Sequence, residues 1–154
     1  GNMQFLGFAF LLTSIMLFLV KNAQGKKGDY DITIKDACII GLMQMVALMP
    51  GISRSGTVLV GCLLCKLSRE ASLKYTFMLY FPVSAASMIL GVKDLIEAGS
   101  LSNVLLPYTL GLIAAGIVTY FSYNWLSRLV KKGKLWKFSI YCFILSLFVL
   151  IYFR

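Results

Sequence analysis

At 154 residues, 59% of them hydrophobic and 14% charged, with a mean hydropathy of +0.83, the chain departs from the roughly 45–50% apolar and about 25% charged of a soluble domain. An ordinary water-soluble fold is excluded. Fifteen Lys and Arg against six Asp and Glu give a net charge of +9; no basic run alternates with aromatics as on a nucleic-acid surface, so anionic lipid headgroups, and no nucleic acid, are the expected partners of that excess.

A helix that crosses a bilayer takes about 20 apolar residues. In chain order, residues 3–20, 75–92, 105–125 and 138–153 reach or approach that length. The first lacks a basic head and ends in Lys21 rather than a small-residue cleavage site, so no cleavable leader is expected. Pro82 and Pro107 fall within or near the start of helices, a placement that membrane helices tolerate. The Gly111 to Gly116 segment, rich in small residues, suits close helix contact. Cys38, Cys62, Cys65 and Cys142 all lie in apolar stretches and read as packing residues; Cys62 and Cys65 have a redox or zinc spacing without a second pair.

Residues 37–67 are too long for one plain span and are interrupted by Pro50-Gly51-Ile52-Ser53-Arg54-Ser55-Gly56. The two arms, 37–49 and 57–67, have the length of re-entrant helices. Either the chain crosses once through a broken helix, or it dips in, turns and leaves on the side it entered. Loop charge discriminates, because Lys and Arg of short loops gather on the cytoplasmic side. One group of loops carries Lys21, Lys26, Lys27 and Lys35, then Lys66, Arg69 and Lys74, then Arg128, Lys131, Lys132, Lys134 and Lys137. Lys93 and Arg154 stand apart. With a re-entrant hairpin the division is twelve against two; with a single crossing it is six against eight. The hairpin reading gives an all-α integral membrane protein of four transmembrane helices plus one re-entrant helical hairpin, with one membrane domain over 1–154.

At the hairpin tip stands Arg54, the one charge expected deep in the bilayer, where an ionised side chain is costly and marks function by default. Pro50 and Gly51 end one helix, Gly56 allows close backbone approach, and Ser53 and Ser55 supply hydroxyls. The second arm begins there, so free N–H groups and the positive end of its dipole face the same small volume. Hydroxyls, backbone donors and a forked guanidinium together make a phosphate site. The competing structural role is that Arg54 satisfies the exposed carbonyls of a broken helix and the serines cap it, with no ligand at all.

Gln44-Met45-Val46-Ala47-Leu48-Met49-Pro50-Gly51-Ile52-Ser53-Arg54-Ser55-Gly56, continued by Leu67-Ser68-Arg69-Glu70-Ala71-Ser72 and by Phe77 and Pro82, closely resembles the second half of bacterial undecaprenyl-diphosphate phosphatases, the bacitracin-resistance family. The resemblance implies a bacterial plasma-membrane (inner-membrane) enzyme built from two inverted repeats. Such an enzyme removes the terminal phosphate of a polyprenyl diphosphate lipid, with a divalent cation (Mg or Ca), to recycle the carrier for cell-wall synthesis. It also implies catalytic roles for Arg54, Ser53 and Ser55 and substrate-binding roles for Pro50, Gly51, Gly56, Thr57 and Gln44.

Two departures stand out. The family commonly places a threonine two residues after the last motif glycine; here Thr57 follows Gly56 at once and Val58 holds that place. The family's first motif, a glutamate-rich helix before a Pro-x-Ser-Ser hairpin and a histidine, is absent, and Phe81-Pro82-Val83-Ser84 echoes it with no such helix before it. Only Glu70 and Glu97 are available, both in expected loops, so no metal ligand is expected in this chain. The chain therefore reads as the last span of a first repeat (3–20) followed by a second repeat, completed by a missing N-terminal half or a second copy, and inactive alone. A transporter or lipid flippase that grips an anionic headgroup is the alternative.

Overall fold

The computed structural model describes residues 2–97, 99 and 101–152, and its elements are all helices among these. In chain order they are α1 (Asn2–Leu19), α2 (Ile34–Val46), α3 (Arg54–Leu64), α4 (Arg69–Glu97), α5 (Leu101–Lys131) and α6 (Leu135–Tyr152). Phe153, at the end of the fourth expected span, and Arg154 lie outside the described residues. Three helices are long and apolar enough to cross a membrane, Arg69–Glu97, Asn103–Lys131 and Leu135–Tyr152; Met3–Leu19 is apolar but shorter. α4 and α5 run past the apolar windows read from the sequence because their polar ends still satisfy helix geometry.

The helices pair as three antiparallel hairpins. α1 and α6, from opposite ends of the chain, are joined by Ser14 Oγ donating to the Ser139 carbonyl (2.8 Å), Ser139 Oγ donating to the Ser14 carbonyl (2.8 Å) and Ser146 Oγ donating to the Gly7 carbonyl (2.8 Å). Small residues at this seam let the backbones approach closely: a Cβ on Gly7 would stand 2.7 Å from Leu150 Cδ2. α4 and α5 are held by Lys131 on Glu70 (3.0 Å) and by the edge-on rings of Phe77 and Tyr123, 4.9 Å apart. Gly111 and Gly116, expected in a helix contact, have nothing within 4 Å of a Cβ position, so α5 presents them to open space.

α2 and α3 form the third hairpin, and both begin earlier than the apolar arms because polar caps start them. Thr33 Oγ1 accepts the Asp36 N–H (3.2 Å) while Asp36 accepts the Thr33 N–H (3.1 Å), a reciprocal capping box. Ser53 caps α3. The two ends of the hairpin are then bonded together: Gly25 N–H to the Leu67 carbonyl (3.2 Å), Lys27 N–H to the Lys66 carbonyl (3.2 Å) and Ser68 N–H to the Lys27 carbonyl (2.9 Å). Lys27 also reaches Asp36 at 2.7 Å, and Lys74 bonds Asp29 beside it.

The core lies at this end of the molecule. Leu17 and Val20 of α1 and its following turn, Leu59, Val60 and Leu63 of α3, Leu73, Val130 and Leu135 close one cluster; Ile40, Val58, Cys62, Cys65, Leu67 and Ala71 close another between α2, α3 and α4. Cys62 and Cys65 are packed as the sequence suggests, whereas Cys38 is exposed on α2; all four cysteines are free thiols. The guanidinium of Arg69 lies against Gly133, which adopts a left-handed φ of +67° at the end of α5, where a cation meets the negative end of the helix dipole.

Two predictions follow from the hairpin base. A Cβ at residue 25 would stand 1.7 Å from the Lys66 carbonyl oxygen, backbone that has nowhere to go, whereas Gly41 has open space around it. Gly25→Ala should therefore cost about 3 kcal/mol or more in detergent unfolding, and Gly41→Ala should be neutral or stabilising by up to about 1 kcal/mol. Asp36 is held down to a pKa of about 2, first by the Lys27 hydrogen bond and then by the Thr33 N–H. Its contribution is complete above the unfolded carboxylate value of about 3.9 and lost as pH falls through about 2. The stability difference between wild type and Asp36→Asn should shrink over that window.

Candidate functional site

The tip of the α2/α3 hairpin is assembled by local rules. The last turn of α2 tightens through Leu48 N–H to the Met45 carbonyl (3.1 Å) and Met49 N–H to the Val46 carbonyl (3.2 Å). Pro50, which has no N–H to satisfy, sits exposed on the turn. Gly51 turns at φ +91°, and a Cβ there would meet Leu6 Cδ1 at 2.7 Å and Ala9 Cβ at 3.0 Å; only glycine lets the turn lie against α1.

Ser53 then starts α3. Its Oγ accepts the Gly56 N–H (3.2 Å) and its carbonyl accepts the Thr57 N–H (2.9 Å). Of the donors that a helix start leaves without intrahelical acceptors, that of Gly56 is taken by Ser53 Oγ, and those of Arg54 and Ser55 stand at the positive end of the dipole. A Cβ at Gly56 would stand 3.0 Å from Ser53 Oγ, so glycine keeps the cap tight.

In front of this helix start opens a cleft of about 330 Å³. Gln44 from α2 and Arg54 and Ser55 from α3 line it, together with Thr76, Phe77 and Tyr80 from α4. Ser53, Arg54 and Ser55 are all exposed, so the guanidinium and hydroxyls are open to an incoming group. An arginine fork, a serine hydroxyl, a carboxamide and two helix N–H groups form a donor-rich end; Val58, Leu79 and Val83 make the remainder apolar. That combination takes an anion attached to a hydrocarbon chain.

The structure gathers Gln44, Arg54 and Ser55 in one cleft and gives the others separate places. Ser53 and Gly56 line an adjoining cavity, Gly51 sets the turn, and Pro50 lies on its outer surface. Thr57 is 1% exposed, its Oγ1 has no partner, and it does not line the cleft; Val58 does. The sequence reading gave no site role to Thr76, Phe77, Tyr80 or Val83, although Phe77 lies in the segment that carries the resemblance. Their spacing of one, four and seven residues marks one helix face, but only folding brings that face to Arg54.

No carboxylate lines the cleft. Glu70, in the first turn of α4, is taken by Lys131, and Glu97, at its last residue, lies 3.8 Å from Lys93. No group of three His, Cys, Asp or Glu converges among the described residues. Among the described residues, those that line the cleft offer no anionic ligand to a divalent cation.

The model of the bacitracin resistance protein BacA family matches residues 1–148. The chain belongs to the BacA family. Among curated relatives, this BacA-family chain is 45% identical over 142 residues to undecaprenyl-diphosphatase 1 of Bacillus licheniformis, covering 92% of the chain and 53% of the relative. It is 38% identical over 151 residues to undecaprenyl-diphosphatase 2 of Bacillus thuringiensis, covering 98% and 56%. To undecaprenyl-diphosphatase of Oceanobacillus iheyensis it is 36% identical over 146 residues, covering 95% and 53%. The chain spans about half the length of the curated relatives it matches.

The division of labour between the two serines of the BacA-family motif is open to test. Ser53→Ala removes the α3 cap and should lower stability by about 1 kcal/mol. Ser55→Ala, which removes no hydrogen bond within the chain, should leave detergent unfolding unchanged.

Proposed function

We propose that this chain is the phosphate-gripping part of a membrane phosphatase that removes the terminal phosphate of undecaprenyl diphosphate in the bacterial inner membrane. The observation that carries the reading is the cleft itself: Arg54, Ser55 and the α3 N-terminus converge beside an apolar wall. Family membership and relatives carrying the name undecaprenyl-diphosphatase support it.

In this reading the Arg54 fork clamps the phosphoryl oxygens and stabilises the charge that develops on them during transfer. Ser55 and the Arg54 and Ser55 N–H groups donate to the same oxygens, and Gln44 supplies a further amide donor. Water attacks the terminal phosphorus, the bond to the bridging oxygen breaks, and inorganic phosphate leaves the lipid monophosphate. Ser53 acts one step removed, holding the helix start in register. The cleft has no base of its own, so the carboxylates that activate water, and any ligands for a divalent cation, come from outside this chain, from an N-terminal half or a second copy.

The same reading makes α2 and α3 a re-entrant hairpin among four transmembrane helices, in the second half of an inverted-repeat fold. Two observations support it. The base is closed on itself by the bonds between residues 25–27 and 66–68. The tip abuts α1 at Leu6 and Ala9, and the ten residues from Ala9 to Leu19 span about 15 Å, half of a hydrocarbon core of about 30 Å.

In a full-length protein carrying this sequence, Arg54→Lys should lower phosphate release from undecaprenyl diphosphate by about 100-fold, because an ammonium cannot form the fork. Unchanged turnover removes Arg54 from the clamp. The chain alone should release no phosphate from a prenyl diphosphate, and clear metal-dependent release by the purified chain overturns the division of the site.

A further inference from the structure

Next to the Arg54 cleft lies a second, partly open cavity of about 160 Å³, lined by residues of α1, α3, α4, α5 and α6. Leu17, Leu59, Phe138 and Cys142 contribute apolar wall, while Thr13, Ser53, Ser55 and Thr76 contribute hydroxyls. Ser55, Thr76 and Phe77 line this cavity and the cleft alike, so they form a shared wall between the two volumes.

The hydroxyls are complementary in polarity. Thr13 donates to the Ala9 carbonyl (3.0 Å) and Thr76 to the Ser72 carbonyl (2.7 Å), so both have spent their protons inside their own helices and present lone pairs. Ser53 Oγ accepts the Gly56 N–H (3.2 Å) and keeps its proton to give. Ser55 makes no side-chain hydrogen bond within the chain and offers both. A buried water needs two to four polar partners and, at about 30 Å³ each, roughly five fit the volume. A chamber with two acceptors, on α1 and α4, and two donors at the start of α3 meets that requirement, where a wholly apolar cavity of the same size stays dry.

We propose that this chamber is water-filled and hydrates the hairpin tip from inside the helix bundle, across the Ser55 and Thr76 wall. An anion held at Arg54 then meets water from behind α3, while the apolar face of the cleft stays against lipid. The inference does not depend on the phosphatase reading, since any anion gripped at the tip would be hydrated by the same route.

Cys142 provides the readout, because it lines the chamber and is half-buried, whereas Cys62 is fully buried in the second core cluster. The chain in lipid nanodiscs is treated with a membrane-impermeant cationic methanethiosulfonate, and labelled peptides are counted by mass spectrometry. Cys142 should be modified at least about tenfold faster than Cys62, and a Thr13→Val, Thr76→Val double variant should slow Cys142 by about tenfold, with both acceptors of the water gone. Continued protection of Cys62 reports that the variant is folded; if it is lost, the single Thr76→Val variant gives the same comparison. Cys142 no more reactive than Cys62 towards the cationic reagent overturns the proposal, whether or not uncharged N-ethylmaleimide reaches it. So does a rate at Cys142 that the valine substitutions leave unchanged.

Discussion

Non-helical backbone inside a bilayer has to satisfy its own polar groups or border water, because lipid offers no hydrogen bonds. The turn at residues 47–53 satisfies most of its own polar groups piece by piece, as the proposed re-entrant placement would require. Tightened bonds end α2, a proline brings no donor at all, a glycine turns where no side chain fits, and a serine takes the first N–H of α3 that it can reach. Beside the arginine side chain, the adjacent N–H groups of Arg54 and Ser55 have no partner among the described residues. Donors that the chain does not spend on itself thus collect at the candidate site.

The apolar helices and the break between α2 and α3 were legible because hydropathy acts over many residues and averages out local detail. Gln44, Arg54 and Ser55 were legible as a group because they sit in one short motif. Helix starts were less so: Thr33 with Asp36, and Ser53, advance α2 and α3 beyond their apolar arms, since a cap is a polar event that hydropathy does not register. Thr57 and Val58 show the limit of motif reading, because which of two adjacent helical residues faces a cleft is decided by 100° of rotation. The α4 face at Thr76, Phe77 and Tyr80 depends on a partner more than twenty residues away. Gly111 and Gly116 carry a pattern suited to contact and meet no neighbour among the described residues. Cys38 sits among apolar residues and is exposed.

Charge is used differently at the two ends of the hairpin. At the base, cations are consumed in pairs, Lys27 with Asp36, Lys74 with Asp29 and Lys131 with Glu70, or laid over a helix C-terminus like Arg69. At the tip Arg54 has no anionic partner within the chain among the described residues. The chain neutralises the charges that hold its shape and leaves the cleft arginine unpaired among the described residues.

The seam between α1 and α6 has a consequence for how the protein is made. Gly51 is backed by Leu6 and Ala9 of α1, and α1 is in turn held by Ser139 and Ser146 of α6. The tip motif leaves the ribosome well before the helix that secures its backstop, so the anion site cannot be rigid while synthesis is under way. The packing behind the tip is completed only when α6 is in place against α1.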